Sequence, residues 1–158
     1  MCGIAGILYK GNKSVSIDLL KKMTDTLVHR GPDDEGFYIN KDRSFGMGFR
    51  RLSIIDLNTG HQPISNEDGT IWVVLNGEIY NFLELKEGLE KRGHKFSTKT
   101  DTEVLVHLYE EKGVDSLQYL RGMFAFCIWD EIKKTLFLAR DRVGKKPLVY
   151  TENNGDII

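Results

Sequence analysis

The residue with the most chemistry in reach is Cys2, one position after the initiator methionine. Trimming of Met1, common before a small residue, would leave a thiol and a free α-amine on the same residue. In unstructured peptides an α-amine titrates near about 8 and a thiol near about 8.5. Such an amine is a competent general base at neutral pH. It can take the thiol proton, directly or through a water, and release a thiolate nucleophile. Nucleophile and base then share one residue, with no histidine required. The plainer alternative is a small apolar side chain at the edge of the first strand. If Met1 stays, the amine is a peptide amide without a basic lone pair. Cys127, inside the most apolar run, reads as a core thiol. Two cysteines make no disulfide framework, and reduced thiols in a cytoplasmic protein fit them better.

Other residues do chemistry only if the fold brings them together. Asn76-Gly77 is, on local grounds, a strong signal for a tight hairpin turn. Asp101 follows Thr100 at an expected helix start, where the helix dipole alone favours an acid. Arg51, beside Arg50, reads as a surface charge at a strand start. His29 is given no catalytic role, and His61, His94 and His107 read as ordinary. No Cys or His pair has metal-ligand spacing, so no metal is expected. Gly144-Lys145 lacks the upstream glycine of a phosphate loop.

The elements that must hold these residues follow from periodicity. Gly3–Tyr9 is a short apolar run, read as a buried strand rather than a signal peptide because no basic residues precede it. Ile17, Leu20, Met23 and Leu27 mark a helix with Ser16 as N-cap, stopped at His29-Arg30 with Gly31 as a left-handed cap before Pro32. Glu35–Ile39, Phe45–Phe49 and Arg51–Leu57 read as strands, then a loop over 58–69 and a strand at Ile71–Leu75. Asn81 with Glu84, and Thr100 with Glu103, resemble capping boxes opening two helices that end at Gly93 and Gly113. In the second, Val104, Leu105, Leu108 and Tyr109 form the buried stripe. Met123–Trp129 and Thr135–Ala139 make an antiparallel hairpin. Pro147–Tyr150 and Asp156–Ile158 read as two further strand pieces.

The runs at 71–75 and 123–129 are apolar on both faces, so both faces must be covered. Hairpin spacing makes the pairing antiparallel. Together these imply an α+β fold, a four-layer αββα sandwich of two antiparallel sheets flanked by helices. At 158 residues, one domain spanning 1–158 is expected. Lys plus Arg is 22 against 23 Asp plus Glu, which argues against a nucleic-acid partner held by charge and against a polybasic membrane surface. No apolar run approaches the roughly 20 residues of a membrane helix.

Six motifs then occur in one order: Met-Cys-Gly-Ile at the start, His29-Arg-Gly-Pro-Asp33, Arg51-Leu-Ser-Ile54, Asn76-Gly-Glu-Ile-Tyr-Asn81, Gly122-Met-Phe-Ala-Phe126 and Arg140-Asp-Arg-Val-Gly144. Together they resemble the glutaminase domain of glutamine-dependent asparagine synthetases, a branch of the class II glutamine amidotransferases among the N-terminal-nucleophile hydrolases. The resemblance runs from Cys2 to about Tyr150. Pro32 points to this branch, since the sugar-phosphate branches usually carry His-Arg-Gly-Tyr there. The family fold is the sandwich already inferred.

The resemblance implies hydrolysis of the side-chain amide of L-glutamine through a thioester on Cys2. It implies an oxyanion hole from the Asn76 amide and the Gly77 N–H. Arg51 would hold the α-carboxylate, as a guanidinium presents two parallel donors where lysine cannot. Leu52, Ser53, Ile54 and Ile55 would line the pocket, partly through backbone groups. Asp101 would take the α-ammonium, with Glu78 beside it. No cofactor is implied for this step. ATP and Mg would belong to a synthetase domain of the same full-length chain, whose Ser-Gly-Gly-x-Asp-Ser loop is not in this sequence. These residues alone are therefore not expected to make asparagine, and the last strand reads as cut short. Val143 and Val149 depart from the family pattern, away from the proposed site. A homo-oligomer is compatible with the sequence without being read from it. The alternatives are an amidotransferase with another acceptor, such as a sugar or peptide carboxylate, a different amidohydrolase of the same fold, or a catalytically silent fragment keeping the fold.

Overall fold

A computed structural model describes residues 2–52 and 60–158. The elements run β1 (Gly3–Leu8), α1 (Ile17–Asp25), β2 (Asp34–Ile39), β3 (Phe45–Arg51), β4 (Ile64–Ser65), β5 (Ile71–Ile79), α2 (Phe82–Lys91) and α3 (Val104–Lys112). A 3-10 helix (Gly113–Tyr119), β6 (Gly122–Asp130), β7 (Thr135–Arg140), β8 (Glu152–Asn153) and β9 (Asp156–Ile157) follow. They form two antiparallel sheets, ordered β2-β3-β1-β9-β8 and β4-β5-β6-β7. The expected α+β sandwich is what the chain adopts.

Its layers are visible in three apolar clusters. Between the sheets, Phe45, Met47 and Phe49 of β3 meet Val74, Cys127 and Trp129, with the Phe45 and Trp129 rings stacked 4.5 Å apart. Outside the first sheet, Ile7 and Val15 pack with Leu20 of α1. Outside the second, Val73, Leu75, Phe126 and Ile128 pack with Leu89 of α2 and Leu105 and Leu108 of α3. Alternation along β5 sends Val74 to one core and Val73 and Leu75 to the other, which is why that run lacks a polar face. Among the described residues no helix is long and apolar enough to cross a membrane.

Several local expectations fail for physical reasons. Ser16 does cap α1, its hydroxyl accepting from the Leu19 N–H at 3.1 Å. The helix, however, ends at Asp25, not at His29. Gly31 has no left-handed backbone. A Cβ there would lie 2.5 Å from the backbone of Arg50, so close strand packing, not capping, calls for glycine. Asn81 caps nothing with its side chain, which instead accepts from the Arg121 N–H and donates to the Tyr119 carbonyl, tying α2 to the approach of β6. Thr100 is not an N-cap either; α3 opens after Glu103. All of Val104–Tyr109 is buried in α3, Val106 and His107 included, rather than one stripe. The expected loop over 58–69 contains β4, and the 3-10 helix was not anticipated. Pro147–Tyr150 is coil: Pro147 has no N–H for a ladder, and Val149 and Tyr150 face solvent. The third strand expected at Arg51–Leu57 begins with the last residue of β3; Leu52 is coil, and 53–57 lie outside the described residues.

Candidate functional site

Cys2 precedes β1 at the point where β1 runs antiparallel to the end of β3, Gly3 pairing with Arg50. That register sets Cys2 beside Arg51. The Leu52 N–H lies 3.5 Å from the Cys2 sulfur and points at it as a donor. From the other side, the Arg30 guanidinium donates through Nε to the Cys2 carbonyl at 3.1 Å. Arg30 belongs to the His-Arg-Gly-Pro-Asp segment, whose order beside Cys2 was the available sign of this role.

Across the sandwich, β5 supplies the opposite wall. Asn76 and Gly77 are not a turn. The strand continues to Ile79, with Asn76 opposite Ala125 and Gly77 opposite Phe124. A Cβ on Gly77 would fall 2.3 Å from the Met123 carbonyl oxygen, so glycine is required by the approach of β6, not by a bend.

The ladder also fixes where the Gly77 N–H points. Phe124 spends both backbone groups away from β5, its N–H donating to Asp141 Oδ2 and its carbonyl accepting from the Asp141 N–H. Gly77 and Phe124 are thus a non-hydrogen-bonded pair, and Gly77 turns its own N–H to the far edge of β5. On that edge β4 reaches only as far as Val73. Beyond it the outward N–H groups meet side chains: Leu75 donates to Gln62 Oε1 at 2.6 Å and Ile79 to Asp101 Oδ2 at 2.7 Å. The Gly77 N–H lies between them, facing a cavity.

That cavity, of about 90 Å³, is lined by Cys2, Arg51, Leu52, Asn76, Gly77, Glu78 and Asp101. Seven of the ten site residues expected from sequence are therefore brought together, while Ser53, Ile54 and Ile55 lie outside the described residues. Arg51 is buried, and its guanidinium lies where a Cβ on Gly60 would be. Gln62, Thr100, Thr102 and Lys146 also line the cavity and were not anticipated. For Lys146 the sign was the preceding Asp141. Its buried carboxylate accepts from the N–H groups of Phe124, Val143, Lys145 and Lys146, folding the loop after β7 and setting Lys146 at the cavity. Burial raises the pKa of Asp141, but those four donors outweigh it and leave it below the usual carboxylate range.

The cavity thus collects two cations, Arg51 and Lys146, and two carboxylates, Glu78 and Asp101. Burial holds the Asp101 pKa above its ordinary value; the Ile79 N–H opposes this, and neighbouring Glu78 adds to it. Such a site suits a small zwitterion next to a thiol and an outward-facing N–H. A larger apolar cavity of about 650 Å³, lined by Ile4, Leu27 and Leu138 among others, holds none of this chemistry. The other thiol, Cys127, is buried between the sheets, and burial pushes its pKa up to about 12, out of reach as a nucleophile.

Comparison with known proteins gives a family and a fold. The family described as "Glutamine amidotransferase domain" matches residues 1–158. The chain is 50% identical over 161 residues to asparagine synthetase [glutamine-hydrolyzing] 2 of Bacillus subtilis, covering all of this chain and 21% of that protein. It is 43% identical over 175 residues to putative asparagine synthetase [glutamine-hydrolyzing] 2 of Methanocaldococcus jannaschii, covering all of this chain and 33% of that one. The chain therefore spans about a fifth to a third of the length of these relatives. Among solved structures, glutamine phosphoribosylpyrophosphate amidotransferase of B. subtilis superposes with a TM-score of 0.72 at 24% identity, over 98% of this chain and 40% of the other, which establishes the shared fold.

Proposed function

We infer the function from one premise: this chain belongs to the glutamine amidotransferase domain family. It hydrolyses the side-chain amide of L-glutamine to glutamate and ammonia. In the longer protein the ammonia serves asparagine synthesis from aspartate and ATP, as the names of its relatives suggest. The observation that carries the reading is the Gly77 N–H, turned by the β5–β6 register away from β6 and toward the cavity that Cys2 also lines.

Removal of Met1 exposes the amine of Cys2, which takes the thiol proton. The thiolate adds to the amide carbon. Negative charge gathers on the carbonyl oxygen, where the Gly77 N–H and the Asn76 amide donate to it. The Leu52 N–H, aimed at the sulfur, helps orient it. The tetrahedral adduct collapses by breaking its C–N bond, and the proton held on the amine leaves with ammonia. Water, deprotonated by the same amine, attacks the thioester; the C–S bond breaks and glutamate departs.

Specificity rests on the charges around that centre. Arg51 takes the α-carboxylate of glutamine, and Asp101 with Glu78 takes its α-ammonium. A glutamine residue inside a protein offers neither charge and is excluded. The glutaminase step calls on no cofactor; ATP and Mg act in the synthetase part of the longer chain, where aspartate is activated. The reduced thiols fit a cytoplasmic setting.

The test is Cys2→Ala, which abolishes glutamate release from glutamine while leaving the circular dichroism spectrum intact. An electrophilic glutamine analogue adds its mass to residue 2 of the wild type, on a chain whose Met1 is gone. Normal turnover by the variant, or an adduct elsewhere, overturns the reading.

A further inference from the structure

We propose a second site, independent of the cysteine cavity: a divalent transition-metal centre, of the zinc class, formed by Glu67, His94, His107 and Glu110. Glu67 lies in the turn between β4 and β5, His94 in the connection from α2 to α3, and His107 and Glu110 one helical turn apart on α3. One donor atom from each falls within 4.8 Å of the other three. No sequence spacing announces this grouping; only the burial of α3 against the turn creates it.

The argument begins with an unmet need. His107 is fully buried, yet neither of its ring nitrogens has a hydrogen-bond partner among the described residues. Its Nδ1 lies 3.4 Å from Glu67 Oε2, and its Nε2 lies 3.7 Å from Glu103. His94 Nδ1 stands 3.8 Å from both Glu67 and Glu110. These separations exceed normal hydrogen bonds. The separations of the two Nδ1 atoms from Glu67 and Glu110 are close to the roughly 3.3 Å that separates two ligands on one tetrahedral ion with bonds of about 2.0–2.1 Å.

The two histidines also share an outer arrangement. Each turns Nδ1 to the common centre and Nε2 to a carboxylate outside it, Glu103 for His107 and Glu111, at 3.3 Å, for His94. Both outer carboxylates are themselves held. Glu103 accepts from Ser97 and Thr98, and Glu111 from Arg92 Nε at 2.6 Å. A carboxylate thus stands behind each imidazole, positioned to accept its Nε2–H once Nδ1 is bound, the usual outer shell of a histidine-bound metal. Two nitrogens and two carboxylate oxygens suit zinc or a similar borderline cation. Bound there, the ion would pin the β4–β5 turn and the α2–α3 connection to α3.

The experiment is a titration of the full chain with Zn²⁺ against a chromophoric chelator, in a Cys2→Ala background so that the terminal thiol cannot compete. One Zn²⁺ per chain is expected, with a rise in Tm on loading. The double variant Glu67→Gln/Glu110→Gln alters exposed positions and leaves the buried imidazole in place. It should weaken binding at least about 100-fold and lose the Tm rise, and Glu111→Gln should weaken it about 10-fold or more. Co²⁺ in place of zinc should give the visible bands of a four-coordinate nitrogen–oxygen site without thiolate charge transfer. Absence of stoichiometric Zn²⁺, binding that survives the double variant, or a thiolate spectrum overturns the proposal. None of these results bears on glutamine hydrolysis.

Discussion

Asp101 and Glu103 stand two residues apart before α3, and the chain treats them in opposite ways. Glu103 is almost wholly buried and saturated: it accepts from the N–H and O–H groups of both Ser97 and Thr98. Burial raises its pKa, but the His107 ring and those donors prevail and bring it down to about 2. Asp101, in the cysteine cavity, has among the described residues one donor from outside its own segment, the Ile79 N–H, and its pKa is raised. A saturated carboxylate is committed to the fold. One with fewer donors, in a cavity, suits a cation that arrives from outside.

The comparison is sharpest in activity. Asp101→Asn removes the carboxylate proposed for the α-ammonium, and losing one member of a desolvated charge pair costs about 2–5 kcal/mol. The value of kcat/KM for glutamine should fall about 30- to 5,000-fold, with hydrolysis of an analogue lacking the α-amine much less affected. Equal losses for both substrates would mean that Asp101 acts on structure.

Glu103→Gln should show the reverse. An amide cannot accept from all the donors that now converge on the carboxylate, and charged hydrogen bonds contribute about 1.5–3 kcal/mol each on removal. A loss of about 3 kcal/mol in urea-unfolding stability is expected, with kcat/KM of the folded fraction changed less than about threefold. A large kcat/KM effect without destabilisation would erase the distinction between the two residues.

The same contrast shows what could be read from the chain beforehand. The sandwich was legible because unbroken apolar runs need two covered faces. Cys2, Arg51, Asn76 and Gly77 are proposed from the ordered motifs, and Asp101 only from the resemblance those motifs carry. Local signals misled where distant packing decided. Asn76-Gly77 carries the strongest turn signal in the sequence, yet the β5–β6 ladder continues through it, and glycine serves the approach of Met123 and Phe124. Thr100 and Glu103 have capping-box spacing, but Glu103 reaches back to Ser97 and Thr98 instead. His107 stood off the expected apolar stripe and is nevertheless buried, because α3 is covered on more than one side. Gln62 and Lys146 reach the cavity through a loop and a buried aspartate that no periodicity marks.

Acid should separate the two carboxylates by sign. Glu103 has a depressed native pKa, so its contribution is complete above its ordinary value of 4.5 and is lost as pH falls from there to about 2. By linkage the loss is about 3 kcal/mol. Glu103→Gln should flatten this part of the stability curve.

Asp101 should tilt the curve the other way, and by less. Its native pKa is raised, so just above its ordinary value of 3.8 the folded state holds a proton that the unfolded chain has released. Its contribution is therefore complete below 3.8 and declines as pH rises through the native value. Asp101→Asn removes that decline. The variant should match the wild type below 3.8 and overtake it slightly at neutral pH, a gain in stability at the expense of activity. Glutamine reverses the preference in the wild type, because its ammonium favours the ionised carboxylate. Binding in the acidic range should then release a proton, visible as a buffer-dependent heat by calorimetry and absent in Asp101→Asn. A variant less stable than wild type at neutral pH, or proton release that persists in it, would place Asp101 with Glu103 among the residues committed to the fold.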